Sequence, residues 1–291
     1  MKTCLIYGNC QIVALKKLLL QNPAFNDAYQ FVELNPVFLL TPEDAPHLEK
    51  LVSQADIFIH QPVSEQYKGK EISTDYLKTF VKETSQVISI PVAYFTGYNP
   101  ELFYIKDQQG AVITEPFPYH DHNILSLYSQ GKTIQEAIQA IQSENFYTAD
   151  YCQKSLEKTC SNLALRENEQ SLDVQLSSFI RENFERYRLW HTFDHPSVAI
   201  AAFIAHSILK LLGIHIQTDT SSFFNQSEML DDYAFPIYPS LSKHLRLQFE
   251  SSSQYRCAFN MLEPESVVER FFQFYDEREE VIKINLLENQ L

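Results

Sequence analysis

The chain has 291 residues, 45% of them apolar and 21% charged, and a formal net charge of −14. That length supports one substantial core, and the composition is ordinary for a soluble globular protein. The acidic balance argues against nucleic-acid binding, which needs a basic face to neutralise phosphates, but it leaves scope for a small anionic ligand held by a local cluster of donors. The five cysteines are an odd number with no C-x-x-C pair, which suits a reducing compartment better than a disulfide framework or a zinc site. Gly8, Asn9 and Gln11 break up any signal-peptide core, and no apolar run approaches a membrane span. A cytoplasmic protein is expected.

The chain opens on a short apolar run, Leu5-Ile6-Tyr7, broken by Gly8-Asn9 and followed by Cys10-Gln11 and residues 12–20 with apolar positions at helical spacing. The pattern predicts buried strand, tight turn and helix, with a thiol at the turn. A cysteine there lies beside unpaired backbone N–H groups and the positive end of the helix dipole, which favour thiolate; the same groups suit an oxyanion or phosphate. The plainer alternative is a small buried residue. A strand is predicted over 29–34, then a helix opened by Thr41-Pro42-Glu43-Asp44 and continued through 47–52. Residues 55–60 read as a strand stopped by Gln61-Pro62, residues 73–81 as a helix, and residues 87–95 as a strand ended by Gly97-Tyr98-Asn99-Pro100. This alternation predicts a parallel, helix-covered sheet. In such sheets ligands bind off the carboxyl ends of the strands, where Gly8-Asn9-Cys10, His60-Gln61-Pro62 and Gly97-Tyr98-Asn99 would converge.

The middle of the chain reads as helical. Thr133 and Glu136 form a capping box, a second helix is predicted over 149–166, and a third carries Leu172, Leu176, Phe179, Ile180 and Tyr187. An apolar helix follows Pro196 from 198 to 212 and ends at Gly213, and Pro264 opens a last one. Residues 214–262 are aromatic-rich and irregular. A single domain is expected, with 1–115 as the alternating core, 116–190 as a helical insertion, and 191–291 as a histidine-bearing segment with closing helices.

His195 precedes a proline at a helix start, where the dipole favours the neutral imidazole that a general base needs. A capping or core histidine is the alternative. Asp194 is a candidate to orient it, although adjacent side chains in an extended segment point to opposite sides. His191 and His195 are four apart, but Pro196 keeps them off one helix face and no Glu follows His191; His120 and His122 have nothing else at ligand spacing, so no metal is expected. Tyr119 and His120 are instead candidate polar lining of a pocket.

Together, Gly8-Asn9-Cys10-Gln11, Gly97-Tyr98 with Pro100, and the run from Arg188 to Ser197 resemble the WcbI family of polysaccharide biosynthesis enzymes over nearly the whole chain. The resemblance implies an SGNH-hydrolase-like three-layer α/β fold. It also implies coenzyme A as co-substrate and O-acetyl transfer from acetyl-CoA to a sugar or glycan of a capsular polysaccharide. Cys10 stands where SGNH enzymes carry serine, Gly97-Tyr98-Asn99 is similar to their Gly-x-Asn block, and His195 corresponds to their histidine. Their aspartate position holds Thr192 here, so a Cys–His pair is expected rather than a full triad. Gln11, Asn99 and the Cys10 backbone are then the expected oxyanion donors, with Gln61 on the same rim. Lys16, Lys17, Arg186, Arg188, Lys243 and Arg246 are the cations available for coenzyme A. A cysteine-dependent esterase or deacetylase, or a non-catalytic coenzyme A or glycan binder, would use the same residues.

Overall fold

The structure, a computed structural model, describes residues 1–215 and 220–278. The expected closing segment 191–291 therefore runs past the described residues at 279–291, and the irregular stretch 214–262 includes 216–219, which also lie outside them. The chain divides into two compact units. The first takes residues 1–94, 161–183 and 196–230; the second takes 95–160, 184–195 and the chain from 231 onward.

The first unit is α/β. Its strands β1 (Lys2–Tyr7), β2 (Tyr29–Phe31), β3 (Ile57–His60) and β4 (Gln86–Ser89) form one sheet in the order β2-β1-β3-β4, with every neighbouring pair parallel. Tyr7 pairs with His60 and His60 with Ser89, so three strands end in line. Alternation places Leu5, Tyr7 and Phe58 on one face, where they meet Leu48, Val52 and Leu77 in a continuous core. Each such buried side chain contributes roughly 1.5–3 kcal/mol. The opposite face carries Cys4, Ile6, Ile57 and Ile59, all buried. Burial pushes the Cys4 thiol up to about 12, which makes it a core residue and not a nucleophile. The Gln11–Leu20 and Val198–Leu211 helices pack against each other in this unit.

Two predicted elements are shorter than expected, for related reasons. The strand expected over 87–95 ends at Ser89, because Pro91 has no N–H for the ladder; the last bond of the series is Ile90 N–H to the His60 carbonyl, 2.9 Å. The helix expected from Leu172 to Tyr187 is confined to Ser177–Asn183. Ser171 adopts φ 48° just beyond the Ala149–Glu169 helix. Asp173 then accepts hydrogen bonds from the Ser89 backbone N–H (2.7 Å) and hydroxyl (2.8 Å). Glu167 accepts from the N–H groups of Leu176 (2.5 Å) and Ser177 (3.2 Å). The intervening residues thereby satisfy the outer edge of β4 at Ser89, an edge that would otherwise be left open.

The second unit is built from helices and short antiparallel pairs. Strands β5 (Leu102–Phe103) and β6 (His120–Asp121) form one pair; β7 (Tyr233–Ala234), β8 (Tyr255–Cys257) and β9 (Asn260–Leu262) form a small sheet. The Pro264–Glu277 helix packs on the His122–Ser129 and Ile134–Ile141 helices, the latter opened by the predicted Thr133–Glu136 capping box. Aromatic rings fill its core: Phe95 contacts both Tyr98 and Trp190 at about 5 Å between centroids. The Phe95 ring lies 2.2 Å from where a Cβ on Gly97 would stand, so Gly97 is a packing requirement.

This core also encloses two carboxyl groups. Asp121 accepts from the Tyr238 hydroxyl (2.6 Å) and from the N–H groups of Asn123 (2.8 Å) and Ile124 (3.1 Å), capping the His122–Ser129 helix. Glu101 accepts from Asn99 Nδ2 (3.0 Å) through Oε1, while Oε2 is buried without a hydrogen-bond partner. Burial, reinforced by the Asp121 charge, holds the Glu101 carboxyl well above the usual range, and burial moves Asp121 up to about 6. The folded chain therefore binds these protons more tightly than the unfolded chain. The stability they support is complete below the ordinary carboxylate range and falls as pH rises through the folded values. Replacing Glu101 by Gln should match the wild-type melting temperature near pH 5 and exceed it by about 3–6 °C near pH 9. Melting curves that stay parallel across this range would show that Glu101 carries no such charge.

Candidate functional site

In the first unit the ends of β1, β3 and β4 are joined by two carboxamides. Asn9 N–H donates to Gln61 Oε1 (2.8 Å); Gln61 Nε2 donates to Gln11 Oε1 (3.0 Å) and to the Pro91 carbonyl (3.3 Å). Gln11 Nε2 donates to the Ala93 carbonyl (2.8 Å), and Ala93 N–H returns a bond to Gln11 Oε1 (3.1 Å). Both side chains are buried. Gly8 is required beneath them, since a Cβ there would lie 2.4 Å from Gln61 Oε1 and 2.9 Å from Ile12. Gln11 and Gln61 are thus fasteners of the turn, and the expectation that the Gln11 amide donates to an oxyanion is corrected by its existing bonds.

Cys10 is the half-buried N-cap of the Gln11–Leu20 helix but makes no side-chain capping bond. Asn9 does that work: its Oδ1 accepts from Gln11 N–H at 3.0 Å and its carbonyl from Ile12 N–H at 3.2 Å. With its oxygen so fixed, Asn9 presents an Nδ2 group that has no hydrogen-bond partner among the described residues. Asn9 also lines a cleft of about 750 Å³ at the carboxyl ends of the strands, together with His60, Gln61, Tyr67, Arg166 and Gln170. His60, at the end of β3, is only 1% exposed, and neither ring nitrogen has a hydrogen-bond partner. Burial, and secondarily the Lys78 charge, lowers its pKa to about 4, so the ring is neutral at pH 7.

The second unit holds His195, and its acidic partner is not the one expected. Asp194 accepts from the hydroxyls of Tyr104, Tyr119 (2.8 Å) and Thr192 (3.0 Å). The carboxylate that approaches the imidazole is Asp232, whose Oδ1 lies 3.3 Å from His195 Nδ1. The His195 side chain is 14% exposed and stands edge-on to the Tyr119 ring. Its backbone is fixed on both sides: its N–H donates to Thr192 Oγ1 (3.3 Å) and its carbonyl accepts from His191 N–H (2.9 Å). Asp194, adjacent to His195 in the chain, is engaged by three hydroxyls, and the carboxylate beside the ring comes from a residue 37 positions beyond His195.

Other expected residues have structural tasks. Tyr119 and His120 are buried; His120 Nδ1 lies 3.3 Å from the Tyr275 hydroxyl and Nε2 3.1 Å from the Glu115 carbonyl. Asn99 commits both amide hydrogens, to Glu101 and to the Pro236 carbonyl (2.8 Å), which removes it as an oxyanion donor. Arg188 is clamped by the carbonyls of Trp190 (3.0 Å), His191 (3.3 Å) and Phe235 (2.5 Å). Lys243 pairs with Glu144 at 2.9 Å, and Arg246 is an exposed residue at φ 56° just past the Pro239–His244 helix. Lys16 lies 5.9 Å from the Phe31 ring and is not among the residues lining the cleft. Sequence reading placed His60 in a turn on the rim without giving it a role, and missed Arg166 and Asp232. The available signals were a histidine closing an apolar strand, an arginine in the last turn of a long helix, and the Asp231-Asp232 doublet within the aromatic stretch.

The family model for the polysaccharide biosynthesis enzyme WcbI matches residues 3–217. No curated protein matches the chain. A solved structure described as WcbI, a novel polysaccharide biosynthesis enzyme, in a native form without a disulfide bond between coenzyme A and one of its cysteines, superposes with a TM-score of 0.84. That alignment covers 99% of this chain and 96% of the other, at 22% identity. With the fold shared end to end and the family model matched over most of its length, the chain belongs to the WcbI family of polysaccharide biosynthesis enzymes.

Proposed function

We propose that the protein transfers an acetyl group from acetyl-CoA to a sugar hydroxyl of a capsular polysaccharide, with Cys10 as the acyl-accepting thiol. The observation that carries this reading is the β1 turn. It places a half-buried cysteine at a helix N-terminus, beside an Asn9 amide with hydrogens to give, at the carboxyl edge of a parallel sheet. The strand order and the turn after β1 also support an SGNH-like descent, with cysteine in place of serine. A structural relative described by the state of a bond between coenzyme A and a cysteine supports the same ligand here.

In the proposed reaction the Cys10 thiolate attacks the thioester carbonyl. Its new C–S bond replaces the one to coenzyme A, which leaves as a thiolate and takes up a proton. Exchange of one thioester for another is nearly balanced, so the acyl-enzyme forms reversibly. The sugar hydroxyl then attacks the acyl carbon, gives its proton to a general base, and releases Cys10. His195 is the residue assigned to that base, with the Asp232 carboxylate 3.3 Å from its Nδ1. Asn9 Nδ2 stabilises the tetrahedral oxyanion in the role first expected of Gln11 and Asn99.

Cys10→Ala should abolish acetyl transfer and the gain of one acetyl group in intact mass after incubation with acetyl-CoA; undiminished transfer would remove the thiol from the chemistry. Hydrolysis of acetylated sugars without coenzyme A would make the enzyme an esterase instead. Asn9→Asp keeps the helix cap and deletes the donor, so kcat should fall about 10²–10³-fold with the melting temperature held. Asp232→Asn should lower kcat and shift the pH profile of kcat/KM, whereas Asp194→Asn should mainly lower stability. The reverse pattern would restore Asp194 as the partner of His195.

A further inference from the structure

The cleft of the first unit has a chemical character of its own. Several of its polar groups are already committed: Thr74 Oγ1 to the backbone of Val63, Ser89 Oγ to Asp173, and the Glu167 carboxylate to Leu176 and Ser177. Those left over are both nitrogens of His60, the Nδ2 group of Asn9, the side chains of Arg166 and Gln170, and the half-exposed ring of Tyr67, none with a side-chain hydrogen bond or ion pair to the described residues. A buried imidazole with both nitrogens unpartnered is costly, a penalty that a bound hydroxyl removes. Its volume of about 750 Å³ is in the range of small-ligand sites, roughly 300–1,000 Å³.

The charges decide which ligand fits. Two cations, Lys78 and Arg166, line the cleft against three carboxylates, Asp75, Glu167 and Glu169. Such walls do not concentrate the phosphates of coenzyme A. A neutral imidazole, by contrast, both donates and accepts, and so matches a hydroxyl, as do the two carboxamides. An exposed tyrosine ring at the rim offers a flat apolar face for the C–H side of a sugar ring.

The geometry points to this cleft as the acceptor pocket, taking a neutral pyranosyl residue whose hydroxyls meet His60 at the floor and Arg166 and Gln170 at the wall, with Tyr67 as the stacking platform. This inference rests on the acetyl-transfer reading for the meaning of "acceptor" but not for the pocket itself.

The test uses the full chain with methyl glucoside, methyl galactoside and methyl mannoside as probes, followed by saturation-transfer NMR and by the His60 ring Cε1–H resonance. Binding of a pyranoside should move the His60 signal without raising its pKa, and coenzyme A or pyrophosphate should not compete. Tyr67→Ala and Arg166→Met should each weaken binding about tenfold with the melting temperature unchanged; His60→Asn, a second variant at the floor, should do the same if it folds. A pyrophosphate that displaces the sugar and raises the His60 pKa would make the cleft a phosphate site and overturn the inference. So would failure of all three pyranosides to perturb His60. Pyranoside binding without acetyl transfer would refute the proposed reaction and leave the pocket standing; acetyl transfer indifferent to Tyr67→Ala and Arg166→Met would do the opposite.

Discussion

The first unit depends on one carboxamide. Gln61 accepts from the backbone after β1 and donates both to Gln11 at the head of the first helix and to the carbonyl of Pro91 after β4. No other side chain of this size meets that demand. Glutamate would set a second acceptor against two acceptors, and leucine would orphan a buried N–H, a carbonyl and an amide oxygen at about 1–3 kcal/mol each. The absence of a Cβ at Gly8 is the matching constraint, because Gln61 occupies that volume. Cys10 owes its position to this arrangement: the turn beneath it is held by groups that do not themselves need to touch a substrate.

That division between fasteners and presented groups explains which parts of the site were legible in the sequence. The strand–turn–helix at Cys10 and the polar turn after β3 follow from apolar runs interrupted by Gly8-Asn9 and Gln61-Pro62, and the parallel sheet follows from their spacing. What sequence could not rank is which amide in a cluster of amides is already satisfied. Gln11, Gln61 and Asn99 looked like donors because their chemistry is right, yet their hydrogens are committed to carbonyls up to 137 positions away. Asn9 differs only in that its oxygen is engaged and its nitrogen is not, and no periodicity encodes that.

The same limit applies to shortened elements and to long-range pairs. Leu172 and Leu176 keep helical spacing, but the bonds that Asp173 and Glu167 accept hold the backbone there out of a helix, where it finishes the edge of β4. Tertiary hydrogen bonds outweigh a propensity of a few tenths of a kcal/mol per residue. Asp232 likewise lies in a stretch whose strands are two or three residues long, too short for alternation to announce them. Around it the second unit's aromatic packing sets Tyr119 both against the imidazole and in a hydrogen bond to Asp194.

The two histidines show how one residue type is set to different tasks by its surroundings. His195 is partly open and has a carboxylate 3.3 Å from one ring nitrogen. His60 is enclosed, has Phe58 packed 5.2 Å from its ring centroid, and feels a nearby lysine, all of which oppose protonation. A ring that must stay neutral is poorly suited to moving protons at pH 7 and well suited to reading hydroxyl groups. The separate tasks proposed for the two histidines therefore match the difference in their surroundings.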